Sequence, residues 1–278
     1  MIGIFDSGLG GLIAFREIKK LLPEYSYLYL GDTLRSPYGG RSQEAVYEFT
    51  EKAVDFLFQK GCKLIIIACN TASSEALRKL QIEYLPKLLK IPTETEGKDK
   101  SKNILGVIRP LAEEAVEISK AKRIGVVGTK ATITSNVYEK ELQNLDKKIK
   151  VFQKACPLLV PLIEENYINK PEIKKILKNY LRSLKNDNID TLILGCTHYP
   201  FLLKEFKRIM GAKVQVIDSS KVIAQKLKDY LEYHPEIEKN LEKKGKIEYL
   251  VTDLTQNFEE MSQRILDKKV KFKKVNIN

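Results

Sequence analysis

The sequence predicts an α/β fold built from two similar α/β domains with mainly parallel sheets, related by a pseudo-two-fold axis. Three observations carry this expectation. Short apolar runs recur along the chain: "IGIF", "YLYLG", "LIIIA", "ILGVI", "IGVVG", "TLILG" and "VQVID". They are continuous rather than alternating, as strands buried on both faces of a parallel sheet must be. Between many of them lie stretches with helical apolar spacing, and strand–helix alternation is the pattern of α/β architecture. Finally, there is a weak internal repeat. "IGIFDS" at Ile2 returns as "IGVVGT" at Ile124, and "LIIIACNT", carrying Cys69, returns as "DTLILGCT", carrying Cys196, at a similar interval and in the same order. If the two halves face each other, so do the cysteines.

Taken in order, the first strand "IGIF" runs into the glycine-rich turn "DSGLGG", and "YLYLG" runs into the proline-glycine loop "GDTLRSPYGGRS", Gly31 to Ser42. In "SQEAVYEFTEKAVDFLFQKG", Val46, Phe49, Ala53, Phe56, Leu57 and Lys60 follow helical spacing, and Gly61 is placed to cap the helix C-terminus. After "LIIIACNTASS", the stretch "KIPTETEGKDKSKN", Lys90 to Asn103, loses the apolar period and gathers Pro, Thr, Gly and charge, so it reads as a linker. A second crossing falls near "GAKVQVIDSS". The expected first domain is therefore 1–97 plus about 214–278, and the second is 98–213.

A chain of 278 residues can form two domains with cores of their own, and 43% hydrophobic with 30% charged residues is the balance of a globular protein. No apolar run approaches the ~20 residues that span a bilayer, and "MIGIFDSGLGGL" lacks the basic region and cleavage site of a signal peptide. The expectation is a cytoplasmic protein with no membrane partner. Four cysteines without CxxC or metal-ligand spacing predict free thiols and no metal site. A net charge of +12 raises nucleic acid as a partner. The lysines, however, are spread and interleaved with carboxylates or amides, as in "EIEKNLEKKGK", which describes solvated helix faces. With no helix-turn-helix signature and no set of stacking aromatics, nucleic acid is disfavoured.

Residues just beyond the carboxyl ends of parallel strands line the binding crevice of such a sheet. Cys69, Cys196, Asp6 and Ser7 are at these positions. The small or hydroxylic residues that follow can open a helix, whose N–H groups hold a carboxylate and lower a thiol pKa from about 8.5. This describes a site for small anions. Read singly, each feature has a plain structural meaning. A cysteine after a strand is often an inert small hydrophobe, which is the reading for Cys62 and Cys156. His198 can satisfy a loop, Asp6 can cap a helix, and "DSGLGG" matches neither GxGxxG nor the P-loop. The closeness of His198 to Cys196 is what raises the functional reading.

"FDSGLGGL", "GDTLRSPYGGRS", "ACNTAS", "PLLVPLIEE" and "GCTHYPFL", in this order, resemble the glutamate racemases, cofactor-independent members of the aspartate/glutamate racemase superfamily. Aspartate racemases carry an acidic residue where His198 stands and lack the "DSGLGG" opening; a cysteine amidotransferase would need a Gly-rich elbow around its nucleophile. The resemblance implies a site in the interdomain cleft, with Cys69 taking the α-proton of D-glutamate and Cys196 that of L-glutamate. Asp6 would assist at Cys69, and Glu164 with His198 at Cys196, Glu165 being the other carboxyl of "IEE" that could match. Substrate would be held by Asp6, Ser7, Tyr38, Gly39, Asn70, Thr71, Thr197 and His198, with Thr129 and Thr132 of "GTKAT" beside the same pocket. Enantiomers have equal free energy in water, so a racemase runs both ways over similar barriers, and a mirror-like pair of thiols fits that need. No pyridoxal lysine motif stands out. With no cofactor, positioning, desolvation and electrostatics must stabilise the carbanion. The resemblance further implies a homodimer and a supply of D-glutamate for peptidoglycan. Two departures lie away from the motifs: a longer linker before "ILGVI", and Arg109 in "GVIRP". The alternatives are a racemase for aspartate or another small amino acid, and a basic protein binding nucleic acid or a DNA enzyme on a racemase scaffold.

Overall fold

A computed structural model describes residues 1–89 and 102–277. The first sheet holds β1 (Ile2–Asp6), β2 (Tyr27–Gly31), β3 (Leu64–Ile67), β4 (Asn103–Gly106), β9 (Ile247–Val251) and β10 (Phe272–Lys274), in the order β10-β9-β2-β1-β3-β4. The second holds β5 (Arg123–Gly128), β6 (Lys150–Ala155), β7 (Thr191–Gly195) and β8 (Gln215–Val216), in the order β6-β5-β7-β8. Every pairing is parallel. β1 lies between β2 and β3, and β5 lies between β6 and β7, so the strand order reverses at the ends of β1 and β5. The sequence repeat is thus a structural one: β1 corresponds to β5, and the two cysteine-bearing strands, β3 and β7, correspond to each other.

Alternate residues of each strand feed different cores. On one side of the first sheet Ile2, Ile4, Tyr27, Tyr29, Leu64 and Ile66 pack together, and on the other Phe5, Leu28, Leu30, Ile65 and Ile67. The second sheet likewise splits Val127, Leu192 and Leu194 from Ile124, Val126 and Ile193. Burial on both faces is why these strands read as unbroken apolar runs. Helix α2 (Gln43–Gln59) starts at Ser42, whose hydroxyl accepts from Ala45 N at 3.3 Å, and it gives way to Gly61 at φ +88°, a left-handed conformation that glycine adopts without strain.

Sheet membership differs from the expected boundaries at 97 and 213. β4 follows 97 yet pairs with β3, and its Ile104 enters the core with Phe5 and Ile65. β8 follows 213 yet pairs with β7, and Val216 packs among residues of the second sheet. Loss of apolar period marks a break in the chain but does not say which sheet edge the next strand joins. The helix Ser219–Tyr233 then returns to the first half, packing Ile223, Ala224 and Leu227 beside Leu12 and Phe15 of helix α1 (Gly11–Leu21). Most of the expected linker, residues 90–101, lies outside the described residues; its last residue, Asn103, opens β4.

Three strands do not stand out in the sequence. β6 is a half-buried edge strand carrying Lys150, Gln153 and Lys154, and β10 is a three-residue edge with Lys273 and Lys274 exposed. Charge on edge strands obscures the apolar signal and discourages edge-to-edge association. β9 begins with the less buried Ile247 and Glu248 before entering the core at Tyr249.

Candidate active site

The ends of β1, β3, β5 and β7 converge on a cavity of about 220 Å³ lined by both Cys69 and Cys196. That is below the ~300–1,000 Å³ of sites for drug-sized ligands and suits a small metabolite. Three larger cavities, of about 330, 760 and 830 Å³, contain neither thiol. The chemistry is therefore concentrated in the small one.

On the first side, Cys69 follows β3 by two residues and caps helix α3 (Asn70–Glu75), with Sγ 3.5 Å from Ala72 N and 3.4 Å from Ser7 Oγ. A helix N-terminus was expected to lower this thiol's pKa. Instead it is pushed up to about 12, because burial and the charge of Asp6 outweigh the hydrogen bonds from Ser7 and Ala72. Ser7 supplies the side-chain hydrogen bond at the Cys69 sulfur, while Asp6 acts on it through its charge. Asp6 turns its carboxylate across the cleft to accept from Thr197 Oγ1 at 3.2 Å, and it accepts from Gly8 N at 2.9 Å. Full burial raises the Asp6 pKa, although His198 and the hydrogen bonds from Gly8, Gly11 and Thr197 act in the opposite direction.

On the second side, Cys196 Sγ lies 4.0 Å from His198 Nδ1, and His198 Nε2 lies 3.0 Å from Glu164 Oε1. Burial resists the charged form of His198, but the interactions with Cys196 and Glu164 prevail and raise its pKa to about 10. At neutral pH an imidazolium therefore faces the Cys196 sulfur. Of the two carboxyls in "IEE", Glu164 is the one that reaches His198. The two thiols sit in unlike surroundings despite their mirror-like positions.

The remaining expected residues also gather here. Ser7, Tyr38, Gly39, Asn70, Thr71, Thr129, Thr197 and His198 all line the cavity. Thr71, Thr129 and Thr132 form a triangle of hydroxyls, 2.9, 3.1 and 3.4 Å on its sides, that joins the two halves. Tyr38 directs its hydroxyl away, donating to Asp32 Oδ2 at 2.5 Å, so its ring and backbone are what it offers the cavity. Among the described residues no cluster of His, Cys, Asp and Glu could hold a metal ion. Cys62 and Cys156 are buried in the cores, as expected.

The sequence pattern of the Asp/Glu/hydantoin racemases matches residues 14–227. The chain belongs to that family. It is 42% identical over 266 residues to a glutamate racemase of Sulfurihydrogenibium sp., covering 95% of this chain and 93% of the relative. A solved glutamate racemase of Bacillus anthracis superimposes with a TM-score of 0.86 at 36% identity, covering 99% of this chain and 97% of that one. Another from Francisella tularensis, solved in complex with D-glutamate, gives 0.83 at 29% identity, covering 100% and 97%. As a member of this racemase family, the chain is an amino-acid racemase, with an α/β fold of two parallel sheets.

For a racemase, the glycines of "DSGLGG" have a steric reason that no nucleotide motif explains. A Cβ on Gly11 would lie 2.3 Å from Asp6 Cβ, and one on Gly10 would lie 2.5 Å from Thr197 Oγ1 and 2.7 Å from His198 Nδ1. Gly39 similarly abuts Thr129, at 2.7 Å, where a loop of the first half meets β5 of the second. Sequence reasoning missed Asp32, a fully buried carboxylate that accepts from Tyr38, from Thr252 Oγ1 at 2.8 Å, and from Arg35 Nε at 2.9 Å. Its signal was available: an acidic residue directly after the apolar strand "YLYLG", as Asp6 is after "IGIF". Arg109, the departure in "GVIRP", bridges Glu113 at 2.6 Å and Glu141 at 3.3 Å, outside the cavity.

Proposed function

We propose that this chain interconverts L- and D-glutamate by two-thiol proton transfer without a cofactor. The observation that carries the reading is the pair of cysteines at the ends of the corresponding strands β3 and β7, opening on one small cavity. With L-glutamate bound, Cys196 Sγ as thiolate takes the α-proton while the Cys69 thiol gives its proton to the opposite face. The carbanion is thereby replaced by D-glutamate, leaving Cys196 as thiol and Cys69 as thiolate; the reverse reaction exchanges the roles. The environments support that starting state. His198 supplies a positive charge beside Cys196, and Cys69, pushed up to about 12, holds its proton until the carbanion develops.

The α-proton of an amino acid is very weakly acidic, so its removal depends on desolvation and on fixed dipoles around the developing charge. Both thiols, Asp6 and His198 are at most 5% exposed, which supplies the first. Ser7, Asn70, Thr71, Thr197 and the backbone of the Tyr38–Gly40 turn supply polar groups for the carboxylates and ammonium. The glutamate reading rests on the relatives of 34–42% identity, which carry that name. A cytoplasmic homodimer delivering D-glutamate to peptidoglycan completes the proposal.

The test is incubation of metal-free, cofactor-free protein with L-glutamate in D2O, following optical rotation and deuterium at the α-carbon. Loss of rotation with deuterium incorporation is expected, and faster turnover of glutamate than of aspartate. Racemisation only after addition of pyridoxal phosphate would overturn the mechanism, and preference for aspartate would overturn the substrate.

A further inference from the structure

Tyr138, on the helix Val137–Leu145 of the second half, is absent from every motif that the sequence brings forward, yet it touches the neighbours of both thiols. Its ring lies on Gly195, the residue before Cys196; a Cβ there would sit 3.0 Å from Tyr138 Cε2. Its hydroxyl crosses to the first half and donates to Oδ1 of Asn70, the residue after Cys69, at 2.6 Å. Both side chains are buried, Tyr138 completely and Asn70 at 2% exposure.

A side-chain amide has one accepting and one donating end, and only its hydrogen-bond partners decide which way it points. Tyr138 is a committed donor, since burial raises its pKa and keeps the phenol protonated at any pH the enzyme meets. The phenol proton therefore selects Oδ1. Asn70 lines the cavity, and its NH2 makes no hydrogen bond to the described residues. Were the amide reversed, the phenol hydrogen would lose its acceptor inside a dry core, and a carbonyl would face an anionic ligand.

We propose that Tyr138 is a positioning residue: it fixes the Asn70 amide with NH2 toward the cavity, where that group donates to a carboxylate of the substrate. Because Tyr138 belongs to the second half and Asn70 to the first, the donor is set only when the two halves are in register. The assignment rests on the cavity being the amino-acid site proposed above.

Steady-state kinetics from each enantiomer of glutamate on wild type, Tyr138→Phe, Asn70→Ala and the double variant test it, with melting temperatures as a fold control. Tyr138→Phe keeps the ring on Gly195. It should raise KM about tenfold, the size of a lost hydrogen bond to a charged group, with kcat changed less than about threefold. In the Asn70→Ala background the same substitution should add nothing, because its effect passes through the amide. An unchanged KM in Tyr138→Phe overturns the inference, as does a double-variant loss equal to the product of the single losses, which would mark a structural role. If Tyr138→Phe melts at assay temperature, Asn70→Asp serves instead: it keeps the acceptor for Tyr138 and replaces NH2 with oxygen. A large rise in KM is then expected, and an unchanged KM refutes. If wild type turns over neither glutamate nor aspartate, the functional reading itself falls and this inference falls with it; an active wild type with an indifferent Tyr138→Phe removes the inference alone.

Discussion

Replacing Glu164 by Gln removes the charge that holds His198 while preserving the length and shape of the side chain. His198 is 4% exposed, and burial alone would favour its neutral form; its contacts with Cys196 and Glu164 reverse that and bring the pKa to about 10. A hydrogen bond to a charged partner contributes about 1.5–3 kcal/mol against about 0.5–1.5 for a neutral one, so the exchange costs about 1–2 kcal/mol. The Glu164 side chain is 30% exposed, which favours the lower end. At 1.36 kcal/mol per pKa unit, the His198 pKa should fall by roughly one unit. If the imidazolium supports charge at Cys196 in the transition state, kcat/KM falls by about 5- to 30-fold. The enantiomers have equal free energy, so kcat/KM must fall equally from L- and from D-glutamate, and only kcat and KM separately can become asymmetric. Polarimetry from each pure enantiomer measures this. NMR titration of the ring protons is tractable because the chain has two histidines, and His234→Gln assigns them. A kcat/KM within twofold of wild type, with His198 titrating unchanged, would refute the relay. The linkage sign gives an independent check. A histidine whose folded pKa lies above its unfolded value of 6.5 stabilises the protein fully below that pH, and this stabilisation is lost as pH rises through about 10. The stability deficit of Glu164→Gln should therefore be full at neutral pH and close above about pH 10.

Cys69→Ala and Cys196→Ala should each lower kcat by about 10²–10⁴-fold or more while melting near wild type; near-normal racemisation by either removes the two-thiol mechanism. Gly10→Ala puts a methyl 2.5 Å from Thr197 Oγ1 and 2.7 Å from His198 Nδ1. Denaturant unfolding should show a loss of about 1–3 kcal/mol together with lost turnover, and a variant neutral in both would mean the halves can separate there without consequence. Asp6→Asn should do the opposite to stability. Burial raises the Asp6 pKa, so the folded state holds its proton more tightly and charging it costs stability as pH rises above its unfolded value. The melting temperature of Asp6→Asn relative to wild type should therefore climb with pH from about 4 upward, while racemisation is lost; a difference independent of pH would contradict the assignment of burial as the cause.

Much of the architecture is written locally. Seven strands, the helix after Ser42, the correspondence of β1 with β5 and the two cysteines at matching strand ends follow from apolar runs, caps and a repeat. These depend on a few adjacent residues and on period alone. Edge strands β6 and β10 escape because a strand with one unpaired side need not be apolar on both faces.

The site divides in the same way. Cys69, Cys196, Asp6 and Ser7 were visible as residues beyond strand ends, and His198 by its closeness to Cys196. Their contacts were not: Asp32 behind Tyr38, Tyr138 behind Asn70, and the hydrogen bond of Ser7 Oγ to the Cys69 sulfur. Nor could the sequence determine the direction in which Cys69 is pushed. Helix capping, a local effect, predicts a lowered pKa, whereas desolvation, summed over every group that excludes water from the cleft, raises it to about 12. Local pattern specifies which side chains stand at the ends of the strands. Protonation, amide orientation and glycine tolerance depend on what the other half of the molecule brings within a few ångströms, and only the tertiary structure decides that.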